Sequence, residues 1–593
     1  MKQFFKMFFA SLLAMIVAGV IVFGLLIGLI VSAVSKSMSS DKESKVKASS
    51  ILVIDLKKTF HEQGESNSLA AITDGSAFAS GIYDITRSLA AAKKDDNIKG
   101  ILLKLEETPN GWATSEQLRE ALLDFKSSNK FIYAYGEDIP QKAYYIATVA
   151  DSIFANPVGG VELKGFATEL AFFKGTLEKL EVQPEIYYAG KFKSATEPFR
   201  ADKMSEPNRL QVMTLQGNFW NEFIAAVAKH AGTDAATVND WTVKGLIQFP
   251  ADALKYKLVD GIRYWDEVEV LLRSKTGLKK DEAIHYTSID DYADNVKRNR
   301  KISEKKIALL FAEGNVVDGK GDDYQIASED MAETIAKIRK DDKIKAVVLR
   351  VNSPGGSALA SEVILRELQL LRQKKPLIVS MGDVAASGGY YIACQADSIF
   401  AMPYTITGSI GVFSMLFSAE GLMKHKLGVT FDGVKNAPYA DIPTVSRTMT
   451  ADEGQRMQNS VDNIYSIFKS RVSVGRKISV EEVDSIAQGR VWTGRDALKI
   501  KLIDGLGNLD RALQSAAAMA KLSDYSVSTY PGAVDKFESL MRKLKGNRAA
   551  AAAIQTTLQN ELGSDYEYYQ QLKQLRKMNG KAMMSMPFSY NMK

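Results

Sequence analysis

Two glycine-rich segments hold the groups best suited to carbonyl chemistry in this chain. Asn352-Ser353-Pro354-Gly355-Gly356 follows a run of apolar, β-branched residues. Its glycines leave backbone amides unobstructed and able to face a developing oxyanion. Pro at the second position and Gly at the third equally suit a plain type II turn. Thr407-Gly408-Ser409-Ile410-Gly411 sets one hydroxyl among glycines, so that a substrate backbone could come close to Ser409. A helix N-cap is the plain alternative, but the residue three on is Val412 rather than Glu or Gln, so no capping box supports it. Between these segments lies Ala385-Ala386-Ser387-Gly388-Gly389-Tyr390. Its small residues predict tight helix packing, and Ser387 is a weaker nucleophile candidate.

A serine nucleophile needs a base. The four histidines, His61, His230, His285 and His425, are scattered singly, and His425 in Lys424-His425-Lys426 reads as a solvated basic patch. A lysine can serve if burial disfavours its ammonium form. The leading stretch is Ala189-Gly190-Lys191-Phe192-Lys193-Ser194-Ala195, where alternation about Phe192 puts Lys191 and Lys193 on one strand face. Lys435, in Gly433-Val434-Lys435-Asn436-Ala437, is a rival.

The elements that must carry these groups are written twice. Tyr144–Pro157 and Tyr390–Pro403 agree at 11 of 14 positions at an offset of 246, and Lys93–Leu105 matches Arg339–Val351 at the same offset. Asp252–Gly261 matches Asp496–Gly505 at an offset of 244. A period this long means duplicated domains rather than a solenoid. The break is expected in the charged run Lys297–Lys306. Within each copy, buried strands such as Ile307–Phe311, Ala346–Val351 and Leu377–Ser380 alternate with helical patterns. One such pattern is Ser361–Arg372, with Val363, Ile364, Leu368 and Leu371 on its apolar face. That grammar is α/β, built from right-handed βαβ units. The copies differ where the chemistry would be. Pro109 of Glu106-Glu107-Thr108-Pro109-Asn110 stands at the place of Gly355, which removes an amide, and Leu163 stands at the place of Ser409.

Composition narrows the class. A chain of 593 residues with 46% apolar and 25% charged residues is long enough for about two to four globular domains and is not wholesale disordered. A net charge of +6 over this length gives no case for nucleic acid. The single cysteine, Cys394, excludes an intrachain disulfide and a thiolate metal cluster, and the scattered histidines argue against a metal cage, so neither a metal nor another cofactor is expected. Met7 to Ser35 is uncharged for 29 residues, which suits a bilayer-spanning anchor over residues 8–34. A secretory signal core is shorter, about 7–15 residues. Lysines flank the span on both sides, so their count alone sets no orientation, but a short N-terminal tail before a long domain suits a cytoplasmic start. The expected organisation is an anchor and linker over 1–47, a first repeat over 48–300, a second over 301–535, and a helical tail over 536–593 to which no chemistry is assigned.

Taken together, the anchor, the tandem repeat, Asn352–Gly356, Thr407–Gly411 and Gly190–Phe199 (GKFKSATEPF) resemble the bacterial signal peptide peptidase A family, also called protease IV, in its long duplicated form. The resemblance covers nearly the whole chain. It implies two ClpP/crotonase-like domains and a serine endopeptidase with a serine–lysine dyad. Ser409 matches the nucleophile and Lys193, just before Ser-Ala, the general base. Gly356 resembles the oxyanion donor, and by analogy with the fold the Ile410 amide is the second. Family members add a hydroxyl that orients the lysine, for which Ser194 and Thr430 are candidates. The family's substrates are released signal peptides and other apolar peptides. Its members are anchored in the inner membrane with the catalytic part in the periplasm, and typically form homotetramers. A membrane-bound scaffold or pseudoprotease of the same fold is the alternative, and a crotonase-like acyl-CoA enzyme a more distant one.

Overall fold

Two sheets with the same strand order account for the internal repeat. The computed structural model describes residues 46–66, 78–279, 282–299, 302–535, 539 and 580–586, with scattered residues 7, 14, 15, 17–19 and 21. The first sheet runs Gly261–Ile262, Ser152–Ala155, Phe131–Gly136, Ile98–Lys104, Ser50–Asp55, His285–Ser288, all parallel. In the second, Gly505–Leu506, Ser398–Ala401, Leu377–Ala386, Ile344–Ser353, Lys306–Glu313 and Ser526–Tyr530 follow in the same order. These strands are near-continuous apolar runs because helices cover them. Trp112–Lys126 and Ala358–Arg372 occupy matching places after the second strand of each copy.

Sequence patterns located these elements but not their ends. The helix expected over Ser361–Arg372 begins at Ala358, because the Ser357 hydroxyl accepts from the Ala360 amide and caps it. Its buried face is Ile364, Leu365, Leu368 and Leu371, and Val363 turns outward. The strand expected over Leu377–Ser380 continues to Ala386, where it pairs with Ile406–Gly408.

A third sheet joins the copies. Gln183–Ala189 of the first pairs antiparallel with Val412–Ser418 of the second, from Val412 opposite Ala189 to Ser418 opposite Gln183. Beyond lie Met583–Ser585, Gly355–Ser357, Asn315–Val317 and Gln325–Ala327. A buried ion pair also ties the copies: Arg350 Nε donates to Glu62 Oε2 at 2.7 Å, and its Nη2 to Gln117 Oε1 at 3.0 Å. Both charged side chains are nearly fully buried. Burial pushes the Glu62 carboxyl upward against the pull of Arg350.

Two expectations concern the chain ends. The span over 8–34 lies almost wholly outside the described residues, and no helix among the described residues is long and apolar enough to cross a membrane. The tail expected over 536–593 also lies mostly outside the described residues; Ser539 is helical, and towards the end of the tail Met583–Ser585 forms a strand whose backbone groups find partners in two flanking strands.

Candidate functional site

The chain turn that ends Gln183–Ala189 brings the lysine to the serine. Gly190 takes φ +107°, and the Lys193 amide closes the turn on the Gly190 carbonyl at 3.0 Å. Because the strand stops at Ala189, Lys191 and Lys193 do not share a face as alternation suggested. Lys191 is exposed, with its amine 5.5 Å over the Phe192 ring, whereas Lys193 is buried. Lys193 Nζ lies 3.1 Å from Ser409 Oγ, 2.9 Å from Ser387 Oγ and 3.3 Å from the Ser409 carbonyl oxygen. Burial without a carboxylate partner holds its amine well below the usual lysine range.

Both hydroxyls that meet the amine stand on unusual backbone. Ser409 has φ +50° and Ser387 φ +54°, a region that costs an ordinary residue about 1–3 kcal/mol and concentrates at functional sites. Ser409 does not cap a helix; it separates the strands Ile406–Gly408 and Val412–Ser418. Ser387 opens the helix Gly388–Ala393. Gln488–Arg490 stitches the two turns together. The Phe192 amide donates to the Gln488 carbonyl at 2.8 Å, Ser409 to Arg490 at 2.7 Å, and Gly489 to Ile410 at 2.8 Å. A Cβ on Gly489 would sit 2.7 Å from that of Lys193, so this contact requires glycine.

The glycine loop packs beside this group. The Gly355 amide turns inward to Ser353 Oγ at 3.1 Å, so the amide lost at Pro109 in the first copy is not the one that faces the site. A Cβ on Gly356 would lie 2.0 Å from the Val316 carbonyl oxygen, and one on Gly388 would lie 3.1 Å from the Gly356 nitrogen. Helix and loop therefore meet through small residues, as expected. Ile410 is fully buried directly after Ser409.

Of the expected residues, the fold gathers Lys193, Ser409, Gly356 and Ile410. Neither of the two hydroxyls expected to orient the lysine, Ser194 and Thr430, meets its amine. Ser194 Oγ accepts from Gln211 Nε2 at 2.9 Å, and Thr430 is exposed on a loop. The hydroxyl that does meet it, beside that of Ser409, is Ser387. Its signal was available in the repeat, because the position aligned with Ser387 in the first copy is Gln141. Lys435 is exposed and paired with Asp441 at 3.0 Å, far from this arrangement in its contacts. Sequence reading also passed over Gln211, whose amide nitrogen reaches the Phe192 carbonyl at 3.2 Å and whose Oε1 accepts from Val491 at 3.4 Å.

The family model for Peptidase family S49 matches residues 124–279 and 369–523, once in each copy. The chain is 35% identical over 519 residues to Protease 4 of Salmonella typhi, covering 86% of this chain and 83% of that protein. It is 31% identical over 488 residues to the chloroplastic serine protease SPPA of Arabidopsis thaliana, covering 81% and 70%. With Protease 4 of Haemophilus influenzae the identity is 32% over 465 residues, covering 76% and 75%.

Proposed function

The chain belongs to peptidase family S49 in its long, duplicated form and is a serine protease, and on that premise we propose that Ser409 is its nucleophile and Lys193 its general base. One observation carries this reading: a buried amine from the first copy 3.1 Å from a strained serine hydroxyl of the second, 216 residues away. A neutral lysine has two N–H bonds and one lone pair. Ser387 Oγ and the Ser409 carbonyl accept the two N–H bonds, which leaves the lone pair for the Ser409 hydroxyl.

Catalysis then proceeds in balanced steps. Lys193 takes the Ser409 proton as Oγ attacks a peptide carbonyl, and the amides of Gly356 and Ile410 receive the oxyanion. The ammonium passes its proton to the leaving amine, which departs as the acyl ester forms. Lys193, neutral again, takes a proton from water as the water oxygen attacks the ester, and returns that proton to Ser409 Oγ as the acyl–oxygen bond breaks. Ser387 is a positioning residue that holds the amine.

The finer reading follows the family resemblance. Each copy is a ClpP/crotonase-like unit, and the substrates are released signal peptides and other apolar peptides. Residues 8–34 anchor the chain in the inner membrane, with the peptidase in the periplasm. The uncharged stretch from Met7 to Ser35 supports the anchor. Homotetramer formation is in keeping with the exposed apolar residues Leu427, Val429, Phe431 and Val434 on one segment of the second copy.

Labelling with a fluorophosphonate, followed by mapping of the modified residue, tests the assignment. Wild-type protein should carry the label on Ser409, and the Ser409→Ala and Lys193→Ala proteins should not. A label on another serine, or full peptide hydrolysis by Ser409→Ala, would overturn it. Full-length protein should resist alkaline extraction from membranes, whereas residues 48–593 should be released.

A further inference from the structure

Lys193 is the middle residue of a tight turn. Its backbone takes φ −75° and ψ 77°, and across it the Ser194 amide donates to the Phe192 carbonyl at 2.8 Å. These are the marks of an inverse γ-turn, which is closed by a single internal hydrogen bond. A misplacement of about 1 Å at a reacting group can cost about a hundredfold in rate, so such a turn needs holding from outside. Gln211, on the helix Glu206–Ala231, does this. Its amide nitrogen lies 3.2 Å from the Phe192 carbonyl oxygen and 2.9 Å from Ser194 Oγ, and so grips the turn on both sides of Lys193. Its Oε1 accepts from the Val491 amide of the second copy at 3.4 Å. Val491 follows Arg490, whose carbonyl accepts from the Ser409 amide at 2.7 Å. One side-chain amide thus spans from the backbone beside the base to the backbone beside the nucleophile.

Gln211 is itself braced. Asn208 Oδ1 accepts from its amide nitrogen at 3.0 Å, so the two N–H bonds of Gln211 serve three acceptors. Asn208 Nδ2 donates to Glu197 Oε2 at 2.8 Å. The Glu197 carboxylate also accepts from the Ser205 amide at 3.2 Å and from the Ser205 hydroxyl. Ser205 in turn caps the helix, accepting from the Asn208 amide at 3.3 Å. Glu197, Asn208 and Gln211 are at most 2% exposed. Glu197 belongs to the part of GKFKSATEPF to which the dyad gives no role. About two turns along the same helix, Asn218 also reaches the second copy, but its partners there are Thr493, at 3.3 Å, and Asp496, not the lysine turn.

We propose that Gln211, braced by Asn208 and Glu197, is a positioning residue for the dyad: it fixes the turn that carries Lys193 against the strand Val491–Thr493 and keeps the amine in reach of Ser409 and out of water. The inference rests on the reading of Lys193 and Ser409 given above. Without the Gln211 amide, the Phe192 carbonyl and the Ser194 hydroxyl lose a buried donor, and water takes its place. Water beside Lys193 reduces the cost of burying the ammonium form, so the amine moves back toward its ordinary value and less of it is neutral. The charged groups on the adjoining elements are Lys191 and Glu197 on its own segment and Arg490 on the facing turn. None of them bonds to the amine, whose partners are Ser387 and Ser409.

The test compares the full chain with three variants. Gln211→Met keeps the length of the side chain and removes its hydrogen bonds, Gln211→Glu keeps the acceptor and adds a charge, and Asn218→Leu is the control on the same helix. Hydrolysis of an apolar fluorogenic peptide and fluorophosphonate labelling of Ser409 are followed across neutral and alkaline pH. In Gln211→Met, kcat at neutral pH should fall about tenfold to a hundredfold with KM within about twofold, and labelling should slow by the same factor as kcat. The midpoint of the pH–rate profile should move upward, so that the deficit shrinks as pH rises. Gln211→Glu should move it further, because a carboxylate near the amine favours the ammonium form. Asn218→Leu should lower the melting temperature and leave the midpoint in place. Unchanged kcat, a loss confined to KM, a fall in kcat with an unmoved midpoint, an equal shift in Asn218→Leu, or failure of both Gln211 variants to fold would each overturn the proposal and reduce Gln211 to packing. Absence of label on Ser409 in the wild type would instead defeat the reading of the dyad.

Discussion

The segment Glu106–Asn110 of the first copy and Asn352–Gly356 of the second sit at the same place in twin folds, and only the first is filled by side chains of its own copy. In the first, the Lys142 amine, at the position of Gly388, donates to the carbonyls of Thr108 at 3.1 Å and Asn110 at 2.7 Å. The Asn110 side chain, at the position of Gly356, is spent on the Phe60 amide and the Lys58 carbonyl. Leu163 is buried in the core where its twin has Ser409. A lysine thus fills the first site from within, while glycines keep the second clear for a strand. What the first copy retains is an edge strand and the turn after it, which deliver Lys193 across the junction. The proposed dyad is thus divided between the two copies.

The strongest way to break this comparison is to separate the copies. Residues 302–593 alone should show no peptide hydrolysis, because Lys193 is absent. Arg350 would also lose Glu62, and an unpaired buried charge costs about 3–5 kcal/mol, so the fragment should melt well below the whole chain. Near-full activity of the folded fragment would put the base within the second copy.

Lys193→Met should lose peptidase activity by about a thousandfold and abolish its rise with pH. Wild-type activity should climb as pH passes upward through the lowered amine value, since only the neutral form accepts the Ser409 proton. Stability carries a matching signature. Between that lowered value and the ordinary 10.5, the unfolded chain binds one more proton than the native one, so native stability rises with pH across this window. The methionine variant should lose this slope, as denaturant melts at several pH values would show.

Gly356→Ala should lower kcat by about 10²–10³, because the added Cβ meets the Val316 carbonyl and displaces the oxyanion donor. Ser387→Ala should lower kcat by about tenfold to a hundredfold. Removing an acceptor that favours the ammonium form should also move the midpoint of the pH–rate profile downward, and Ser387→Thr should restore part of the rate. A drop in kcat with no movement of the midpoint would reduce Ser387 to packing. The smallest effect sharpens the contrast: Leu163→Ser in a Ser409→Ala background should leave hydrolysis at the level of Ser409→Ala alone. Lys142 blocks that site, and no second buried lysine is brought to it among the described residues.

The reach of the sequence followed the range of the interactions involved. The repeat, the α/β grammar and the core strands were legible because they depend on local apolar patterning, and both sheets follow it. Ser409 is legible because glycine spacing marks tight backbone and its twin is Leu163, whereas Gly356 and Ile410 are singled out as oxyanion donors only by the family resemblance. Only the family pattern separates Lys193 from Lys191 and Lys435, since local alternation alone puts Lys191 and Lys193 on one face. The Gly190 turn that buries one and exposes the other depends on contact with Gln488 and Gly489, nearly 300 residues away. Ser387 went unassigned for the same reason: its partner amine is 194 residues distant.

Two like α/β units after an uncharged stretch, one with a serine between glycines where the other has leucine, can be read from the order of residues alone. Periodicity, side-chain type and internal comparison are properties of neighbouring residues and need no folding to be seen. The tertiary structure decided which lysine is stripped of water, which hydroxyl holds it, and that the chain's carboxy-terminal strand pairs with Gly355–Ser357. Those outcomes come from packing between segments hundreds of residues apart, where burial sets a lysine's charge and flanking strands set the conformation of Met583–Ser585.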